Sequence, residues 1–126
     1  MGMRVLHVED DLDIQEIAKL SLETIGGFEI LQCASGKQAL KLVEAFNPDL
    51  FLFDVQMPEM SGETLYQEIR QLPGLENIPT IFMTARAQEK DVTALKKLGA
   101  LDVVTKPFDP MALPEQIKEI LARETG

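Results

Sequence analysis

Side chains that could carry out phosphoryl chemistry stand where the apolar segments of this sequence end. The first, third, fourth and fifth of these segments lead into Glu9-Asp10, Asp54, Thr84 and Lys106. Three carboxylates in one crevice repel each other unless protons or a cation intervene. A hard divalent cation that keeps several waters, as Mg²⁺ does, suits a site with so few protein oxygens. The residue types therefore predict a Mg²⁺ site, provided that the fold brings these side chains together.

Asp54 is the candidate nucleophile among these strand-end residues. Its carboxylate would stand beside the metal, the ammonium group of Lys106 and the hydroxyl group of Thr84, and could attack phosphorus. The metal and the ammonium group would stabilise the equatorial oxygens of the transferred group. The charges of the three carboxylates, the lysine and a divalent cation also sum to zero. We therefore predict phosphoryl transfer onto Asp54.

Five apolar segments and the amphipathic segments between them must position these side chains. Strands are predicted over residues 3–8, 28–33, 50–53, 80–83 and 101–105. Helices are predicted from about residue 14 to the Gly26-Gly27 stop, over 36–46, from the Ser61 cap to Pro73-Gly74, over 88–98 and around 113–121. Right-handed crossovers turn five such units into a parallel sheet with helices on both faces, a doubly wound α/β domain. Sheets of this kind bind ligands at the carboxyl ends of their strands, where the candidate residues stand.

Two of the helices carry more specific expectations. The first has apolar residues at three- and four-residue steps, which places Ile14, Ile17, Ala18, Leu22 and Ile25 on its inward face. In the last helix, Pro114 fits the first turn far better than the interior. Outside the site, we expect Asp11 to cap the first helix, and His7 and Cys33 to be buried core residues.

Length and charge limit what else the chain could be. The 126 residues suffice for one domain, which we predict over residues 3–123, with no second domain after the last helix. The net charge of −9 repels nucleic-acid backbones and anionic lipid, so neither is an expected partner. One cysteine, no signal peptide and no run of about 20 apolar residues favour a cytoplasmic protein that does not enter the membrane.

Four short motifs give the sequence a resemblance to a known family. They are Val8-Glu9-Asp10-Asp11, Asp54-Val55-Gln56-Met57-Pro58, Met83-Thr84-Ala85 and Lys106-Pro107-Phe108. Each motif is weak alone, but all four in this order and at these distances are specific. From residue 3 to about residue 122 the chain therefore resembles a response regulator receiver domain of two-component signalling, of the chemotaxis-regulator type. The resemblance implies a flavodoxin-like fold whose five parallel strands lie in the order 2-1-3-4-5.

The resemblance also implies how metal and phosphoryl group would be held. Asp54 would be the phosphoacceptor, so that the protein would carry an aspartyl phosphate. Asp10 and Asp54 would bind Mg²⁺ directly, Glu9 would bind it through water, and Gln56 would add its backbone carbonyl.

Three further groups would meet the phosphoryl oxygens. These are the hydroxyl group of Thr84, the backbone N–H of Ala85 and the ammonium group of Lys106. The resemblance further implies that the Lys106-Pro107 peptide bond is cis, an isomer that X-Pro bonds adopt at small cost.

Partners and switching follow from the same resemblance. The phosphoryl donor would be a sensor histidine kinase or a phosphotransfer protein, and the output would be binding to a downstream protein target or a fused output domain. The chain would assist only its own phosphorylation and dephosphorylation, and so would not be an enzyme in the ordinary sense. The family usually has Tyr or Phe three residues before the lysine, whereas Val103 stands there in this sequence. We therefore expect activation to move the loop after the fourth strand and the fourth helix, with little change at Val103.

Other functions remain as alternatives to phosphoryl-dependent signalling. A receiver-shaped interaction module could work without phosphorylation, although the intact set of charged and hydroxyl residues argues against it. An aspartate-nucleophile phosphatase of the haloacid dehalogenase type would need a second Asp two residues after Asp54, where Gln56 stands. A flavodoxin-like electron carrier would need a glycine- and hydroxyl-rich phosphate loop after the first strand, where the acidic residues would repel that phosphate.

Overall fold

A central parallel sheet lies between two layers of helices. The computed structural model describes residues 2–125, with side chains described as far as residue 123. Within that range the elements are β1 (Arg4–Val8), α1 (Leu12–Leu20) continued by a π-helical turn (Ser21–Ile25), β2 (Glu29–Cys33), α2 (Gly36–Phe46), β3 (Leu50–Asp54), α3 (Gly62–Ile69), β4 (Thr80–Thr84), α4 (Glu89–Leu98), β5 (Asp102–Thr105) and α5 (Leu113–Thr125). The described strands pair in parallel in the order β2-β1-β3-β4-β5, which confirms the predicted doubly wound, flavodoxin-like fold.

The central strand β3 is buried along its whole length. Phe51 and Phe53 pack into the core on one face of the sheet, and Leu50 and Leu52 pack into the core on the other. A strand covered by helices on both faces reads as a continuous apolar run, which is the pattern of residues 50–53. Asp54 is the last residue of β3, so the buried strand holds its position at the carboxyl edge of the sheet.

The first helix departs from its predicted apolar face. Ala18 and Leu22 are buried as predicted, but Ile17 and Ile25 are each 46% exposed, so the prediction for these two residues was wrong. The π-helical turn contains Ile25 and departs from the regular α-helical periodicity, which moves this residue off the predicted face. Ile17 precedes the turn and lies where the neighbouring elements leave α1 partly uncovered. Ser21 takes an inward position instead, and its hydroxyl group donates to the carbonyl oxygen of Pro110.

Most helix boundaries follow the local signals in the sequence. The side chains of Asp11, Ser35 and Ser61 accept hydrogen bonds from backbone N–H groups in the first turns of α1, α2 and α3. Pro114 lies in the first turn of α5, as predicted. The third helix ends at Ile69, a few residues before the predicted stop. Within residues 2–125, no helix is long and apolar enough to cross a membrane.

Gly62 determines how closely α3 begins to the end of β3. A Cβ atom at this position would lie 2.2 Å from the backbone oxygen of Asp54, closer than any side chain tolerates. The backbone N–H of Gly62 donates to the carbonyl of Val55 at 3.0 Å. Only glycine therefore lets the loop after β3 fold back against the strand that carries Asp54.

Candidate functional site

Three carboxylates meet at the carboxyl edge of the sheet. Glu9 and Asp10 directly follow β1, and Asp54 is the last residue of β3. One oxygen from each carboxylate lies within 4.8 Å of the oxygens of the other two. Glu9 and Asp54 are 1% and 3% exposed, whereas Asp10 is exposed. The cluster therefore has a buried floor and an open rim.

Lys106 bridges two of these carboxylates. Its Nζ atom donates to Oε1 of Glu9 at 2.8 Å and to Oδ1 of Asp54 at 3.1 Å. Lys106 follows β5, and its backbone N–H donates to the carbonyl of Thr84 at 2.9 Å. The peptide bond between Lys106 and Pro107 is cis, as the resemblance implies. The Lys106 side chain thus extends from the end of β5 and places its positive charge at the centre of the acidic cluster.

Burial and charge act in opposite directions on these groups. Burial raises the pKa values of Glu9 and Asp54 and outweighs the lowering effect of their hydrogen bonds with Lys106. Burial would lower the pKa of Lys106, but its bonds to the two carboxylates prevail and raise that pKa. Lys106 is therefore charged at neutral pH. One ammonium group balances only one of the three carboxylates, which leaves two negative charges for a cation to neutralise.

The donor set fits Mg²⁺. This ion prefers oxygen ligands, binds through one or two carboxylates and retains several waters. Three carboxylates whose oxygens lie within 4.8 Å of one another provide such ligands, and the exposed Asp10 leaves the rim open to water and to a phosphoryl oxygen. The arrangement can therefore hold a hydrated divalent cation beside Asp54.

The remaining predicted residues surround the acidic cluster. The backbone N–H of Gln56 lies near the Asp54 carboxylate and partly offsets the effect of burial on the pKa of that group. Thr84 is buried, and its Oγ1 accepts a hydrogen bond from the backbone N–H of Arg86 at 2.9 Å. Gln56 and Thr84 both line a cleft of about 610 Å³ between the loop after β3 and α4, and Ala85 is exposed in the next loop. The charged residues thus contact one another, whereas Thr84 and Gln56 lie along the adjoining cleft.

Sequence reasoning missed a residue that supports the acidic turn, by which we mean residues 9–11. The side-chain amide of Gln15 donates to the backbone carbonyl of Glu9 at 2.6 Å. The backbone N–H of Asp11 donates to Oε2 of Glu9 at 3.1 Å, and its carboxylate caps α1 as predicted. A polar residue in the second turn of an amphipathic helix is usually solvent-facing, so its type alone gave no signal.

His7 is a buried residue of β1, as expected. Its Nδ1 atom accepts a hydrogen bond from the side-chain amide of Gln32 at 3.1 Å, and its Nε2 atom has no partner among the described residues. Burial, and then the nearby charge of Lys106, lower the pKa of His7 to about 4. The imidazole is therefore neutral at physiological pH.

The buried His7 predicts a specific loss of stability in acid. The unfolded chain takes up a proton near the ordinary pKa of 6.5, whereas the folded protein does so only near about 4. Stability should therefore fall as the pH drops through this window, by about 2 kcal/mol between roughly pH 7 and pH 4.5. Urea unfolding of the wild type and of His7→Leu, in a chelating buffer, measures this contribution as their difference. A difference that stays constant across the window would contradict it.

Comparisons with known proteins agree on one family. The family model of the response regulator receiver domain matches residues 5–118. The alkaline phosphatase synthesis transcriptional regulatory protein PhoP of Bacillus subtilis is 32% identical over 123 residues, which cover 98% of this chain and 50% of that protein. The chain spans about half the length of the transcriptional regulators that it matches.

Solved structures with the same fold cover nearly the whole chain. A putative response regulator from Chloroflexus aurantiacus has a TM-score of 0.86 and 34% identity, with 98% of this chain and all of that chain covered. The chemotaxis response regulator CheY4 of Vibrio cholerae has a TM-score of 0.87 and 25% identity, with 95% of this chain and 99% of that chain covered.

Proposed function

This chain belongs to the response regulator receiver domain family, and we propose that it accepts a phosphoryl group on Asp54 from a phosphohistidine donor with Mg²⁺ bound. Receiver domains of two-component systems relay signals by accepting phosphoryl groups. In this chain the acyl phosphate switches a protein-binding surface formed by α4, β5 and α5 and is lost slowly to water. The donor is a sensor histidine kinase or a phosphotransfer protein, and the target is a separate protein or a fused output domain.

One observation carries this proposal more than any other. The ammonium group of Lys106 is hydrogen-bonded to both Glu9 and Asp54, and Asp10 contributes a third carboxylate oxygen to the same cluster. Burying two carboxylates with a single lysine is energetically costly, and a pure interaction module has no need of it. The carboxylates can bind a metal ion, and the ammonium group of Lys106 can pair with an incoming phosphoryl group. This favours phosphoryl transfer over an interaction module that is never phosphorylated.

The chemistry assigned to the site is an in-line displacement at phosphorus. An oxygen of Asp54 forms a bond to phosphorus as the P–N bond of the donor breaks, and the donor's imidazole leaves with the electron pair and takes up a proton from water. The nearby backbone N–H of Gln56 orients the carboxylate. Lys106, already 3.1 Å from Asp54, then pairs with a phosphoryl oxygen. Asp10 and Asp54 would hold Mg²⁺ directly, Glu9 through water and Gln56 through its backbone carbonyl, and the ion would supply positive charge for the transferred oxygens.

Two other groups complete the binding of the phosphoryl group in this proposal. Thr84 turns its hydroxyl group away from the Arg86 N–H to donate to one oxygen, and the backbone N–H of Ala85 donates to another. Together with Lys106 they leave each equatorial oxygen with a donor or a cation, which is how charge is stabilised in phosphoryl transfer.

The proposal extends to the unit and its surroundings. Residues 3–123 form the receiver unit, which catalyses no reaction besides its own phosphorylation and dephosphorylation. Its site of action is the cytoplasm, with which the buried free thiol of Cys33 is compatible. The net charge of −9 makes direct contact of this unit with nucleic acid or anionic lipid unfavourable.

Incubation with a small phosphodonor tests the function. Phosphoramidate has the P–N bond of a phosphohistidine, so in the presence of Mg²⁺ it should add one phosphoryl group, which mass spectrometry detects. The product should be an acyl phosphate, labile to base and converted to a hydroxamate by hydroxylamine, with the modified residue at position 54. A protein that stays unmodified at millimolar phosphoramidate and Mg²⁺ would contradict the proposed function.

Loss of Mg²⁺ binding is expected when Asp10 is replaced by alanine. We expect Asp10→Ala to weaken Mg²⁺ binding about tenfold or more, because it removes a direct carboxylate ligand. Asp11→Ala is the matched control, since its carboxylate caps α1 and its N–H contact with Glu9 is retained. The chain has no tryptophan, so isothermal calorimetry is the suitable measurement. Equal losses in the two variants would remove Asp10 from the metal site.

A further inference from the structure

We infer that Gln15 is a positioning residue for the metal ligands, and that Gln32 holds Gln15 in place from β2. The inference deepens the proposed function and rests on it, since it assigns residues that fix the acidic turn for Mg²⁺. Neither the Gln15 nor the Gln32 side chain is hydrogen-bonded to a carboxylate of the metal site. Gln15 bonds to the backbone of Glu9, and Gln32 bonds to the backbone of Gln15.

The backbone of Glu9 is held from two sides. Its N–H donates to the carbonyl of Cys33 at 3.0 Å, which extends the pairing of β1 with β2 by one residue. Its carbonyl accepts from the side-chain amide of Gln15 at 2.6 Å, a contact from the second turn of α1 back to the end of β1. Asp10 lies between Glu9 and the helix cap at Asp11, so fixing Glu9 restricts where the Asp10 carboxylate can point.

Gln32, a residue of β2, is hydrogen-bonded to both β1 and α1. Its side-chain amide nitrogen donates to the backbone carbonyl of Gln15 at 2.7 Å and to Nδ1 of His7 at 3.1 Å. His7 and Gln32 are directly opposite residues of the β1 and β2 pair. His7 is fully buried, so this support is anchored in the core rather than at the surface. The amide therefore fixes the height of α1 above the sheet at the level of Gln15.

A neutral amide suits position 15 for a reason of charge. An amide N–H donates a hydrogen bond without adding charge to the site. Lys106 already supplies one positive charge to Glu9 and Asp54. A second cation beside Glu9 would compete with the metal for the same carboxylates. Gln15 supports the backbone and leaves the negative charge of the acidic turn available to Mg²⁺.

The test removes the donor of Gln15 while keeping its length. Gln15→Met should raise the Kd for Mg²⁺ about three- to tenfold, the effect expected for one lost hydrogen bond. Amide exchange at residues 10 and 11 of the metal-free protein should accelerate by a similar factor. Phosphorylation by phosphoramidate at saturating Mg²⁺ should stay within about twofold of wild type, because Gln15 does not contact the reacting atoms.

Two further variants separate positioning from a general effect on stability. Gln38→Met is the matched control, because Gln38 makes a comparable side-chain contact to the backbone N–H of Ala34 but not to the acidic turn. It should leave Mg²⁺ affinity and exchange at residues 10 and 11 unchanged. Gln32→Met should weaken Mg²⁺ binding less than Gln15→Met, and the double variant should be no weaker than Gln15→Met within about twofold, because Gln32 acts through Gln15.

The outcomes distinguish this inference from the proposed function. Wild-type Mg²⁺ affinity and unchanged exchange in Gln15→Met would overturn the inference, even if the protein is phosphorylated normally. Equal weakening in Gln15→Met and Gln38→Met would also overturn it, since the effect would then be one of stability. A wild type that neither binds Mg²⁺ nor takes up a phosphoryl group would instead overturn the proposed function and, with it, the metal-positioning role of Gln15.

Discussion

The Asp54→Asn variant is expected to lose phosphorylation by phosphoramidate, with a fall in rate on the order of 100-fold or more. The asparagine side chain would keep the shape of the native one but replace the attacking carboxylate oxygen by an amide, which is a poor nucleophile. Mass spectrometry after reaction with donor and Mg²⁺ measures the remaining transfer. Full phosphorylation of the variant would show that another residue is the acceptor.

Folding should not limit the interpretation of that experiment. Burial raises the pKa of Asp54, so the charged form is less stable in the folded protein than in water, and replacing it by a neutral amide relieves part of this cost. Asp13→Asn is the matched control, because Asp13 is an exposed carboxylate in the first turn of α1. It should be phosphorylated at the wild-type rate. A parallel loss in Asp13→Asn would point to a general effect of charge rather than to the nucleophile.

Activation is expected to move residues 84–92 while Val103 stays in place. The acyl phosphate changes the site by about one negative charge and attracts the Thr84 hydroxyl group. Thr84 Oγ1 accepts a hydrogen bond from the Arg86 N–H, so turning this hydroxyl group breaks a contact that holds the loop after β4. The loop leads directly into α4, so its movement shifts the start of that helix.

The sparse packing of α4 keeps the free-energy cost of such a shift low. Leu95 is its one buried residue among those described, and the cleft of about 610 Å³ beside it is lined by Thr84 and Ala94. The far end of the helix has a contact with the end of α3, where Arg70 donates to the carbonyl of Leu98 at 3.5 Å. We therefore expect the first half of α4 to move relative to its second half.

Val103 has no comparable freedom. It lies opposite Phe82 in the pairing of β4 with β5 and packs at the margin of the core. A valine side chain is too short to exchange between a buried and an exposed position. We therefore expect movement of the loop and α4 to take the place of the aromatic rotamer change that the family usually employs at this position.

Amide exchange with and without beryllofluoride, a phosphoryl mimic, measures where the change occurs. We expect exchange at residues 84–92 to change about tenfold or more, with little change at residue 103. Asp54→Asn with beryllofluoride is the control and should show neither effect. The largest change at residue 103 with a silent loop would refute this account of switching.

The sequence alone determined the features that depend on local patterns. Apolar runs such as residues 50–53 and the stops between amphipathic segments located the five β-α units, because buried strands and helix ends have distinct residue preferences. The Ser61 cap and Pro114 followed from backbone hydrogen bonding and fixed φ angles, which act within one turn. Parallel crossover rules then brought the strand-end carboxylates to one edge. The strand order came from the resemblance to the receiver family.

Tertiary structure decided how these pieces meet. Lys106 and Glu9 lie 97 residues apart, and only the folded sheet brings the ammonium group to 2.8 Å from that carboxylate. The contact of Gln15 with the Glu9 backbone depends on the height of α1 above the sheet, which no residue of α1 reveals by itself. The exposure of Ile17 was likewise hidden, because periodicity gives the apolar side of a helix but not how much of it the neighbouring elements cover. Distances between elements are determined by the packing of the whole core, and a local pattern carries no record of that packing.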